Sequence, residues 1–62
     1  MLEPVAEKLI EEIRKLGLQR VSALDYFLQS AEKKDWLGVQ WAAFRMMVIE
    51  KQISFLEELI KK

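Results

Sequence analysis

Two carboxylate pairs, Glu11-Glu12 and Glu57-Glu58, come nearest to acid–base chemistry by type and spacing. Paired carboxylates divide the roles of acid and base only where their surroundings push their proton affinities apart. Both pairs stand among other charges, in VAEKLIEEIRKL and in ISFLEELIKK, on what reads as the outer face of a helix. That placement makes them solvated surface. The serines have no base to activate them, because the chain contains no His and nucleophilic triads need one. Cys is absent as well, which removes disulfides and thiolate metal sites. A carboxylate-bridged metal centre in a helical bundle uses Glu-x-x-His pairs, and there are none. The sequence therefore predicts no enzyme, no cofactor and no metal.

Arg45 is the one chemically odd residue. Its neighbours three and four positions away along a helix are Trp41, Ala42, Val48 and Ile49, and none can pair with it. Burying a lone guanidinium is costly. The expectation is an ion pair or an anion contact at Arg45, with Asp25, Glu32 or Glu50 of a second copy as the acid. The plainer alternative is a side chain that snorkels to water.

The elements that position these residues read as helices. Pro4 suits a first helical position, and Val5, Ala6, Leu9, Ile10, Ile13 and Leu16 then fill one face. Gly17 follows Arg14-Lys15-Leu16, as a left-handed helix cap would. A second helix places Val21, Leu24, Phe27, Leu28 and Ala31 at three- and four-residue steps. Continuing that stripe puts Lys34, Asp35 and Gly38 into core slots, so a turn is expected at 33–35, with Asp35 capping the next helix. The predicted fold is all-α: one domain over 1–62, with three helices at about 4–16, 18–33 and 36–60.

The segment DWLGVQWAAFRMMVI, residues 35–49, is apolar nearly all the way round. Its core face is assigned to Leu37, Trp41, Ala42, Phe44, Val48 and Ile49. A second apolar face then carries Trp36, Val39, Ala43, Met46 and Met47. Helices from one small chain cannot cover both faces, so a second copy is the simplest cover. The expected assembly is a dimeric helical bundle with those five residues at its interface.

Composition bears on partners. A domain of 62 residues buries only about 60% of its unfolded surface, and oligomerisation is one remedy open to it. Ten basic and ten acidic residues cancel, which argues against nucleic acid as a partner. No run reaches the roughly 20 apolar residues of a membrane span, and no signal peptide is visible. Cytoplasmic residence is the resulting expectation. Asn, Thr, Cys and His are missing while Glu and Lys abound, a leaning shared with thermophile proteins, although three Met run against it.

The expected function is a non-enzymatic protein–protein interaction or self-assembly module, a small scaffold or accessory subunit. The alternative is a small DNA-binding regulator with a helix-turn-helix over about 9–33, presenting Gln19, Arg20, Ser22, Tyr26 and Lys33 to the groove. Two local resemblances bear on geometry. YFLQSAEKKDWLGV resembles one unit of a tetratricopeptide repeat, with no second copy to stack on it. The Trp-x-Gly of DWLG resembles the motif that small secreted helical-hairpin proteins carry at their turn. The hairpin before it is short for that class.

Overall fold

A seven-residue pattern runs through the first half of the chain. Ala6, Leu9, Ile13, Leu16, Ala23, Phe27 and Ser30 recur at three- and four-residue steps, with Arg20 in the slot between Leu16 and Ala23. A single helix keeps all of these on one seam. The structure, a computed structural model, describes residues 4–61 and shows that single helix: α1 spans Pro4–Glu32. A second helix, α2, spans Trp36–Lys61 and returns antiparallel to it. The described residues form an all-α hairpin with dimensions of 48 × 15 × 10 Å.

The expected helices at 4–16 and 18–33 are therefore one element, and the three-helix expectation is corrected to two. The cause lies at Gly17. Its φ is not positive, so it caps nothing. Glycine inside a helix costs only about 0.5–1 kcal/mol relative to alanine. That is too little to break a seam that continues on both sides of it. The 29-residue α1 also removes the corner that a helix-turn-helix over 9–33 requires. Trp36-Leu37-Gly38 opens α2 immediately after the turn.

The break does come at 33–35. The amide of Asp35 donates to the Ser30 carbonyl at 2.8 Å, and that of Lys34 donates to Ala31 at 3.1 Å. Lys34 takes a left-handed φ of 59°. These bonds make a Schellman motif, in which the last carbonyls of α1 find donors after the helix has ended. Asp35 then starts α2. Its Oδ1 accepts the Gly38 amide at 3.2 Å, and its carbonyl accepts the Val39 amide at 3.0 Å. This is the N-cap expected of Asp35.

Small residues line the seam near the turn. Ala23, Ser30, Gly38 and Ala42 are buried, and Ile49 is the one large side chain fully enclosed among the described residues. A Cβ on Gly38 would lie 2.6 Å from the Ser30 hydroxyl oxygen and 2.8 Å from Asp35 Oδ2. Gly38 is thus needed for close approach, whereas Gly17 has nothing within 4 Å of a Cβ built on it. In chemical denaturation, Gly17→Ala should raise stability by about 0.5–1 kcal/mol. Gly38→Ala should lower it by about 1–3 kcal/mol through overpacking. Asp35→Ala should cost about 0.5–2 kcal/mol through loss of the cap. Equal effects at the two glycines would contradict the close approach.

Candidate interaction surface

Two helices bury a narrow seam and leave two flanks. On α2 the seam residues Val39, Ala42, Met46, Ile49, Ile53, Leu56 and Ile60 follow three- and four-residue steps and are buried or half-buried. The large side chains between them stay outside. Leu37 is 77% exposed, Trp41 55% and Phe44 60%. The sequence pattern expects these on the core face with Ala42, Val48 and Ile49. The true seam is rotated around the helix, so Ala42 and Ile49 are buried, Val48 is half-buried, and the three bulky residues face water.

The five residues expected at an interface divide in the same way. Trp36, Ala43 and Met47 are exposed, on the flank that also carries Val21, Leu24 and Leu28 of α1. Val39 and Met46 are half-buried in the seam with α1. The structure brings Trp36, Ala43 and Met47 to one side by helical spacing and does not bring Val39 and Met46 with them.

On the opposite flank lies a groove of about 740 Å³ that begins beside the turn. From α1 it takes Leu18, Ser22 and Tyr26, and from α2 Leu37, Trp41 and Arg45. The Tyr26 and Trp41 rings meet edge to face, with centroids 5.4 Å apart and planes at 70°. Such a contact adds about 0.5–1.5 kcal/mol beyond area burial and holds both rings at the groove wall. Arg45 and Asp35 are the charged groups of this lining, and Asp35 already serves as the cap.

Arg45 is exposed. The ion pairs among the described residues are Lys15 with Glu12 and Arg20 with Glu50, so Arg45 has no partner within the described chain. The expected Asp25 and Glu32 contacts do not form: Asp25 instead accepts a hydrogen bond from Gln29 at 3.0 Å. A guanidinium in water needs no counter-ion, and the open flank leaves it there. The pair that does cross the hairpin went unforeseen. Arg20 Nη2 lies 2.8 Å from Glu50 Oε1. An Arg in an otherwise apolar seam slot was its only signal in the sequence.

Comparison with known proteins adds no further constraint: no family model matches the chain, and no match was found among curated proteins or solved structures.

Arg45→Met should leave chain stability within about 0.5 kcal/mol of the parent in a thermal melt, as an exposed, unpaired position does. A loss of several kcal/mol would reveal a buried partner. Arg20→Ala should cost about 1 kcal/mol or less, the range for exposed pairs.

Proposed function

We propose that this hairpin is a non-enzymatic self-association module, a small scaffold or accessory subunit that works by joining copies of itself. One observation carries the reading: most of the large apolar side chains among the described residues stay exposed to solvent. A compact globule of 7.3 kDa presents about 4,200 Å² to solvent, by the scaling of surface with mass, whereas this chain presents 5250 Å². The buried apolar residues are Ala23, Ala42 and Ile49, while Trp, Phe, Leu and Tyr side chains stand on the flanks. Contiguous apolar surface of that kind marks an interaction site. The partner is a second copy, giving a dimeric bundle in the cytoplasm. No helix among the described residues is long and apolar enough to cross a membrane.

A second reading has one observation in its favour. Trp36 and Gly38 stand at the hairpin turn, where the resemblance to small secreted helical-hairpin proteins puts them. On that reading the module is exported. A tagged copy recovered from culture medium would support it, and complete retention in cells would remove it.

Sedimentation equilibrium of the 62-residue protein tests self-association. A dimer is expected at micromolar concentration, and Trp41→Glu should weaken it at least tenfold. A monomer at every concentration, with helical circular dichroism intact, would overturn the reading.

A further inference from the structure

The apolar stripe on the groove flank of α2 is Leu37, Trp41, Phe44, Val48, Phe55 and Leu59, with Gln52 filling the remaining slot. From Leu37 the steps are four, three, four, four, three and four residues. That order reads the same from either end, and Val48 is its midpoint. The groove flank of α1 carries the same palindrome at Glu11, Lys15, Leu18, Ser22, Tyr26, Gln29 and Lys33, with Ser22 at the midpoint.

The two midpoints lie near one level of the hairpin. Arg20 pairs with Glu50, and the close approach of Gly38 to Ser30 agrees to within about half a helical turn, so Arg20 and Glu50 lie near one level of the antiparallel hairpin. Two residues onward along α1 is Ser22, and two residues back along α2 is Val48. One axis perpendicular to the helices passes by both. We infer that a second copy docks on this flank about a two-fold axis at Val48 and Ser22, forming an antiparallel four-helix bundle. The inference rests on the self-association reading and adds its face and register.

A two-fold interface must be self-complementary, with each residue matched to its mirror position on the other copy. About this axis Leu37 meets Leu59 of the second copy, and Trp41 meets Phe55 of the second copy. Leu18 meets the second copy's Tyr26. Val48 and Ser22 meet themselves, and Ser22 is small enough for the two α1 helices to approach. One charged pair agrees as well, since Glu11 falls opposite Lys33 of the second copy. The stripe from Leu37 to Leu59 is about 33 Å long at 1.5 Å per residue, and two helices side by side are about 20 Å wide. Covering it buries about 1,300 Å² over both copies, inside the range of stable interfaces. On the opposite flank α1 carries exposed Val21, Leu24 and Leu28, but the apolar stripe of α2 stops short. That stripe changes after Met47 to Glu50, Ser54 and Glu57.

The chain has no cysteine, so single-cysteine variants report cleanly. A disulfide needs Cα atoms within about 7 Å. Under mild oxidation Val48→Cys and Ser22→Cys should each form covalent dimers. Leu37→Cys mixed with Leu59→Cys should cross-link as a heteropair, while neither variant does so alone. Met47→Cys, on the other flank, should stay reduced. Sedimentation of the unmodified protein separates the possible failures. A monomer removes both readings. A dimer that cross-links through Met47→Cys but not through Val48→Cys and Ser22→Cys leaves self-association standing and overturns the face and the axis.

Discussion

The hairpin depends on how closely α1 and α2 meet beside the turn. At Gly38 the two helices are so near that a methyl group would fall 2.6 Å from the Ser30 hydroxyl. Ala23 and Ala42 continue the seam with small side chains, and Ile49 is the first large one fully enclosed. Small residues let helices approach but bury little area apiece. About 25 cal/mol is gained for each Å² of apolar surface removed from water, so bulky side chains matter most. Here most of them lie outside the seam.

That geometry explains the exposed flanks. A helix is apolar on one stripe when one neighbour covers it. α2 carries a seam and a second stripe at Leu37, Trp41 and Phe44, and α1 covers only the seam. The edge-to-face contact of Tyr26 with Trp41 settles two rings on the open side without enclosing either. The Arg20–Glu50 pair spans the hairpin, and both side chains remain more than half exposed. Surface pairs of this kind contribute little stability, so the register rests on the turn and on the close approach at Gly38.

The turn was legible because Lys34 and Asp35 fall where a continuous stripe needs apolar residues, and because Asp is a good cap. The all-helical character was legible from periodicity. Gly17 misled because local punctuation and long-range seam disagree there, and the seam wins when a mid-helix glycine costs so little. The faces of α2 were harder. With apolar residues nearly all round, hydrophobicity alone cannot say which stripe meets α1. Size can: Gly38 and Ala42 mark the close contact, and Trp and Phe cannot occupy it. Reading size in place of hydrophobicity puts Val39 and Met46 in the seam and sends Leu37, Trp41 and Phe44 outward.

The central claim is that a second copy covers the groove flank, and Trp41 can report on this directly. With Trp36→Phe, Trp41 is the only indole in the chain. In an isolated hairpin it is 55% exposed. Its fluorescence emission, followed through a dilution series, should begin blue-shifted and move to the red as dimers separate, with a midpoint at the dissociation constant. Emission typical of a water-exposed indole at every concentration, with helicity unchanged, would contradict the account.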